Sequence, residues 1–419
     1  MHKSSPGSRP IEVAAYYFPS YHLDARNGQW HGQGWTEWDL VRDARPRYPG
    51  HQQPKIPAWG YFDESDPHWA AREIDLATEH GITSFIYDWY WYDDASYLQN
   101  GLEKGFLKAA NRSKMKFALM WANHDWNNMF PARLSNKPEI LAQGKVSPEV
   151  FTRLCNYVID RYFSQENYLK IAGRPYFSIY ELGSFIQGMG GLDAAARALE
   201  QFRRQCEKAG VGEPHLNTVV WQLPVLPGEF GLPKVDEVIQ RLGIDSATSY
   251  AWIHHYDLST GQFPQGSYAL AAEANYRAWD HYAQTLPVPY FPNVSMGWDS
   301  SPRTCQSEKF ENRSYPWTAV LEGNTPAAFE QSLRRARTFV EQMELAPPMV
   351  TLNAWNEWTE GSYLLPDEHH GDAYLKAVRN VFAASQGRMF PIKNKSEQSV
   401  GSVQRTGVTV AGLSADLPI

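Results

Sequence analysis

The sequence predicts an α/β fold, a single-domain (β/α)8 TIM barrel with enlarged βα loops. Three observations carry that prediction. Short apolar runs alternate with longer amphipathic stretches, the pattern of repeated βα units. Eight such runs are spread along the 419-residue chain, the strand count of a closed parallel barrel. No Gly-x-Gly-x-x-Gly or Walker A loop follows the first run, which argues against a doubly wound nucleotide-binding sheet.

Strands are expected at 12–19 (EVAAYYFP), 84–91 (SFIYDWYW), 116–123 (KFALMWAN) and 174–181 (RPYFSIYE). Four more are expected at 217–224, 244–252, 288–299 and 348–357. Aromatic and β-branched residues dominate these runs, as suits a pleated, buried surface. Helices are expected at 66–80, 148–163, 190–209, 268–285, 326–344 and 371–384. Stretches such as EHGITSF and AGRPYF put a glycine where a helix ends and a strand begins. Residues 1–11 read as an N-terminal extension and 12–384 as the barrel. The Ser-, Gly- and Gln-rich tail 385–419 reads as partly disordered or packed on the barrel.

Composition narrows the function. Net charge is −7, with 20% charged residues and no basic stripe, so no nucleic-acid partner is expected. No apolar stretch is long enough for a membrane span. The N-terminus lacks an apolar h-region. The cysteines, Cys155, Cys206 and Cys305, are odd in number and widely spaced, which fits a reducing compartment. A cytoplasmic location is therefore expected. No His-x-x-x-His or Cys-x-x-Cys occurs, so neither a metal site nor a cofactor is expected. Oligomeric state is not legible.

Aromatic content is high, with 16 Trp, 23 Tyr and 19 Phe. It serves a bulky core or a carbohydrate cleft, where ring faces meet the C–H faces of sugars. Position favours the cleft. In a barrel of this kind the chemistry lies at the C-terminal strand ends. Those ends carry Tyr17, then Asp88, Trp89 and Tyr90, then Trp121, Asn123, His124 and Asp125. Later ends carry Glu181, Gln222, Tyr250, Trp252, Trp298 and Asp299, and finally Asn353, Trp355, Glu357 and Glu360.

The last group, in TLNAWNEWTEG (351–361), is the most informative. Residues three apart in one helical turn share a face, with Cβ atoms roughly 5–6 Å apart. Two carboxylates that close repel when both are ionised, so one holds its proton. One protonated and one ionised carboxyl is what glycosidic cleavage uses. A solvated surface pair is the bland alternative, and the flanking Trp355 and Trp358 speak against it.

Four blocks carry a family resemblance: GWTEWDLVRDARPRYPGHQQPKIPAWGYFD (34–63), GITSFIYDWYWY (81–92), WANHDW (121–126) and NAWNEWTEG (353–361). In this order they resemble the WbsX-like, glycoside hydrolase family 99-like proteins, over most of residues 13–382. The resemblance implies a (β/α)8 barrel, in a family often labelled as glycosyltransferases. NEWTEG is similar to the motif that carries both catalytic glutamates in family 99, the endo-acting α-mannosidases. Carried over, Glu357 is the base acting on the sugar's own 2-hydroxyl, with retention through an epoxide-like intermediate, and Glu360 the general acid and base. Two positions depart from the pattern: His124 stands where an acid is expected, and no arginine follows Asp63.

The expected function is a retaining glycoside hydrolase acting on an oligo- or polysaccharide. Trp35, Trp38, Trp89, Trp121, Trp298 and Trp355 are candidate ring platforms. Glu37, His51, Gln53, Asp88, Asn123, His124 and Asp125 are candidate hydroxyl readers, and Tyr17, Tyr90 and Asn353 complete the candidate wall. Alternatively, the GHQQP turn (50–54) only braces the first long loop. Two other functions stay open. A glycosyltransferase needs a phosphate site, and no basic cluster offers one. A non-catalytic carbohydrate-binding barrel has no use for two close acids.

Overall fold

The structure, a computed structural model, describes residues 10–383 apart from 136, 138, 227 and 230. The expectations for residues 1–9 and for the tail 385–419 lie outside the described residues.

Eight parallel strands form the barrel: β1 Glu12–Tyr17, β2 Ser84–Trp91, β3 Lys116–Trp121, β4 Arg174–Ile179, β5 His215–Val219, β6 Ser246–Thr248, β7 in two pieces Tyr290–Phe291 and Asn293–Ser295, and β8 Met349–Asn353. Each pairs with the next, and β8 pairs with β1 through Val13 opposite Val350. The break in β7 falls at Pro292, which has no N–H for the ladder. The first piece pairs with β6 and the second with β8, and the Pro292 carbonyl accepts from Thr351 N at 3.0 Å. The nine parallel segments are therefore eight strands, and the ring closes.

Three surrounding helices begin alike. Asp66, Ser147 and Thr325 each cap a first turn with a side-chain oxygen, and each is followed by proline. The cap satisfies an orphan N–H, and the proline sits where no N–H is needed. Helices at Pro67–Glu79, Tyr268–Thr285 and Pro326–Gln342 fall close to their expected places. The expected helix 190–209 is Leu192–Lys208, preceded by a separate helix Leu182–Met189. Gly190 and Gly191, at φ +87° and +123°, break the two apart. The helix expected over 148–163 is α-helical to Val158 and π-helical over Ile159–Phe163. Val235–Leu242 is a helix the sequence reading passed over. Among the described residues no helix is long and apolar enough to cross a membrane.

The period-2 alternation of strands sorts the side chains. Asp88 and Tyr90 face into the barrel mouth, whereas Trp89 and Trp91 point out toward Tyr157 on the surrounding helices. Outside β1 and β8 lies a buried carboxyl, Glu73, which accepts from Trp355 Nε1 at 2.8 Å and Tyr17 Oη at 3.1 Å. Burial pushes it up to about 8. An acid raised on folding contributes stability that is fully present below its unfolded value and lost as pH rises through about 8. Stability is therefore expected to fall between about pH 5 and 8, by at most about 1.4 kcal/mol per pH unit. Glu73→Gln should flatten that slope in denaturant titrations run at several pH values. An unchanged slope would show that Glu73 does not carry it.

Candidate active site

The loops after β7 and β8 meet at the C-terminal mouth of the barrel, and the local sequence explains how. The side-chain amide of Asn356 pairs with the Phe18 backbone, accepting from its N and donating to its O, both at 2.8 Å. That bond fixes the chain just beyond β8 against the end of β1. Trp358–Glu360 makes a short 3-10 turn, closed by Gly361 at φ +62°. A Cβ at Gly361 would stand 2.6 Å from the Cβ of Asp299, so only glycine fits this approach. The carbonyl of Glu360 accepts from Asp299 N at 2.6 Å. The glycine that follows the second glutamate thus lets the two loops touch.

Asp299 in turn anchors Ser301–Arg303, the short turn that carries Arg303. Its carboxylate accepts from His51 Nε2 at 2.8 Å, Gln53 Nε2 at 2.6 Å and Ser301 N at 3.1 Å. Burial alone would raise Asp299, but the His51 contact holds it at about 2. His51 and Gln53 thus brace the loop after β7, not the first long loop that the alternative for the GHQQP turn names, and they do not line the cavity.

Arg303 is 4% exposed and lies at the centre of the site. Its guanidinium contacts Glu360 Oε1, lies 3.5 Å from Glu357 Oε1 and donates to Glu37 Oε2 at 3.3 Å. Phe18 and Phe130 lie about it, with ring centroids at 5.3 and 5.2 Å. Tyr315 Oη donates to Glu360 Oε1 at 2.7 Å. Tyr250 Oη lies 2.7 Å from both Glu357 Oε2 and Asp88 Oδ2.

Three buried carboxyls therefore contact one cation, and Asp88 joins them through Tyr250. Burial pushes Glu357 well above the usual carboxylate range, and the neighbouring Glu360 adds to the effect. Burial likewise raises Asp88 and Glu37, the latter against the pull of Arg303. This is how an apolar, crowded site separates a protonated carboxyl from an ionised one.

Asp88, Arg303, Tyr250, Tyr315, Glu357 and Glu360 line an aromatic-walled cavity at the strand ends. Asp88, Tyr90, His124, Asp125, Trp298, Glu357 and Glu360 are on its wall, as the candidate list has them. Burial lowers His124, so the ring is neutral. Its Nδ1 faces the Asp125 carbonyl at 3.0 Å, so that nitrogen carries the hydrogen and Nε2 is left as an acceptor.

Other candidates stand behind the wall. Glu37 holds Arg303 and accepts from Thr359 Oγ1. Asn123 is locked to the Glu181 backbone by two 2.8 Å bonds. Asn353 Oδ1 accepts from Ser362 Oγ at 2.8 Å. Trp38 donates to the Phe62 carbonyl at 2.7 Å and packs on Trp358. Trp35 is half-buried against His31.

Tyr17, Trp89 and Trp121 do not reach the cavity, because strand alternation turns them to the outer face, and Trp355, past the end of β8, is held there by Glu73. Trp89 Nε1 donates to Tyr162 Oη at 3.3 Å, and Trp121 packs on Phe151 and Phe185. Tyr17 and Trp355 both bond Glu73. Trp121→Ala is accordingly expected to cost about 3–5 kcal/mol of stability without weakening glycan binding. Trp126→Ala, on the cavity wall, should weaken binding by about 1 kcal/mol instead. Denaturation curves and glycan titrations of both variants separate the roles, and weakened binding by Trp121→Ala would return that residue to the cleft.

The wall also holds Phe18, Trp126, Phe130, Tyr180, His254, Arg303 and Tyr315, none of them among the candidates, and Tyr250, named above only as a strand-end residue. Tyr250 was legible, two residues beyond Thr248 and on the same strand phase. Arg303 carried no signal in SSPRTC. Among the described residues no group of three or more His, Cys, Asp or Glu side chains is arranged to hold a metal ion.

The family described as Glycosyltransferase WbsX matches residues 13–378. Among curated proteins, the uncharacterized protein WxcX of Xanthomonas campestris pv. campestris (strain B100) is 28% identical over 381 residues, 90% of this chain and 50% of that protein. The chain thus spans about half the length of the curated relatives it matches. Among solved structures, the GH99 endo-alpha-mannosidase from Bacteroides thetaiotaomicron superposes with a TM-score of 0.53 at 13% identity, covering 89% of this chain and 97% of that one. A glycoside hydrolase-like protein superposes with a TM-score of 0.57 at 14% identity, covering 91% and 97%. At such identities the likeness establishes the barrel fold.

Proposed function

On the premise that the chain belongs to the WbsX glycosyltransferase family, we propose that it acts on glycans as a retaining glycoside hydrolase, with Glu357 and Glu360 as the reacting pair. One observation carries the reading: both carboxyls contact a single buried guanidinium, Arg303, beside an aromatic-walled cavity at the strand ends. In the roles implied by the likeness of NEWTEG to family 99, Glu360 protonates the leaving oxygen while Glu357 takes a proton from a sugar hydroxyl. A raised Glu357 suits a base, since proton abstraction improves with basicity once the group is ionised.

A second reading exchanges the two roles. It is favoured by the bonds at Glu360, where Arg303 and Tyr315 both stabilise an ionised carboxylate.

Transfer from a nucleotide-sugar is disfavoured by charge. Arg303 is the one Arg or Lys among the described lining residues, and it is committed to three carboxyls. Asp125 and an ionised Glu357 would repel a diphosphate. A purely binding barrel gains nothing from burying that many acids, which costs stability. Purified protein screened against polysaccharides and aryl glycosides tests the reading. New reducing ends without added nucleotide sugar support it, and cleavage that survives Glu357→Gln plus Glu360→Gln together refutes the assigned pair.

A further inference from the structure

The contact between Asp88, Tyr250 and Glu357 contains a proton count. Tyr250 Oη is 2.7 Å from Asp88 Oδ2 and 2.7 Å from Glu357 Oε2. A phenol has one hydrogen and can donate to only one of them. The second contact is a hydrogen bond only when its carboxyl carries a proton and donates to the phenol oxygen. With one proton between the two carboxyls, two arrangements satisfy the atoms. In one, Asp88 Oδ2–H donates to Tyr250 and Tyr250 donates to an ionised Glu357. In the other, Glu357 Oε2–H donates to Tyr250 and Tyr250 donates to an ionised Asp88. They interconvert when each of the two protons crosses one short bond, and total charge is conserved.

The surroundings decide between them. Glu357 has Arg303 Nη2 at 3.5 Å from its other oxygen. Asp88 is not in direct contact with the guanidinium: Tyr250 is its hydrogen-bond partner, and its Oδ1 is buried without one. An orphaned oxygen costs more on a carboxylate than on a neutral acid. Glu360 repels a charge on either carboxyl and Arg303 attracts one on either, so those two act alike and the direct Arg303 contact and the orphaned oxygen set the order. The phenols of Tyr16, Tyr90 and Tyr180 are pushed by burial still further above their ordinary range and stay neutral.

We propose that Asp88 is a positioning residue that carries a proton in the working protein and, through the Tyr250 hydroxyl, keeps Glu357 ionised. Asp88 then does not read a sugar hydroxyl as a carboxylate; it holds the charge of the site on the group beside Arg303. The inference rests on the proposed function for its catalytic meaning only, because the protonation itself is a property of the empty site.

Infrared spectroscopy of the full chain at neutral pH reads that protonation without any substrate. Glu73 also contributes a protonated-carboxyl band, so the observable is the difference between wild type and Asp88→Asn. A carboxylic-acid band lost in Asp88→Asn and retained in Glu357→Gln is expected. A band lost only in Glu357→Gln places the proton on the wrong carboxyl and overturns the proposal. Wild type labelled with 13C at the aspartate carboxyls gives the same answer without a substitution: a protonated-carboxyl band that shifts with the label supports it, and none that shifts refutes it.

Where glycosidase activity is measurable, Asp88→Asn, whose amide still donates to Tyr250, should retain at least ten-fold more turnover than Asp88→Leu. Equal losses for the two variants argue against a donating Asp88. The infrared result stands whether or not the glycosidase reading does.

Discussion

Glu360→Gln is expected to cut turnover of glycosides with poor leaving groups by roughly 10²-fold or more, because the substitution keeps shape but removes a proton donor. An aryl glycoside with an activated leaving group should lose much less. Glu357→Gln should slow both substrates alike, since a base acts on the sugar rather than on the departing group. Steady-state rates of both variants on a matched substrate pair carry the assignment. The reverse pattern establishes the exchanged roles that the Arg303 and Tyr315 contacts favour. Indifference to leaving group in both variants would place the proton donor elsewhere on the wall.

Arg303→Met should have the largest effect on stability. It strands Glu37, Glu357 and Glu360 in the interior without their cation, and removing one partner of a buried ion cluster typically costs about 3–5 kcal/mol. The melting temperature should fall by roughly 4–6 °C. The deficit should shrink as pH is lowered, because the stranded carboxyls relieve themselves by taking up protons. Arg303→Lys keeps a charge but not the fork that reaches three carboxyls, so it should recover part of the loss. A melting curve for Arg303→Met that matches wild type at every pH would remove Arg303 from the centre of the site.

The comparison of sequence and structure is instructive at particular residues. β2 falls where its aromatic run placed it, and the Glu357–Glu360 pair lies on the cavity wall beside Asp88. Those features are local: a run of one character, or a spacing of three before a glycine. Trp89 and Trp121 lie near strand ends, but alternation turns every second side chain outward, and Trp355 lies past the end of β8, where alternation no longer sets the direction. Arg303 is a different case. Nothing near it in the chain marks an arginine that will be buried, because its partners are contributed by Glu37 and by the loop beyond β8, 266 and 54–57 residues away in sequence. Charge compensation across such distances is a property of the fold. The split of β7 at Pro292 was readable in principle, since a proline inside a run marks a broken ladder.

The central claim is that this barrel breaks glycosidic bonds in the cavity bordered by Glu357 and Glu360. Its most direct measurement is product analysis on a polysaccharide and aryl-glycoside panel, run in parallel with and without nucleotide sugars, for wild type and for the Glu357→Gln plus Glu360→Gln double variant. The account predicts new reducing ends from at least one glycan with no nucleotide sugar present, and none from the double variant. Product that forms only when a nucleotide sugar is supplied would contradict it and make the protein a transferase.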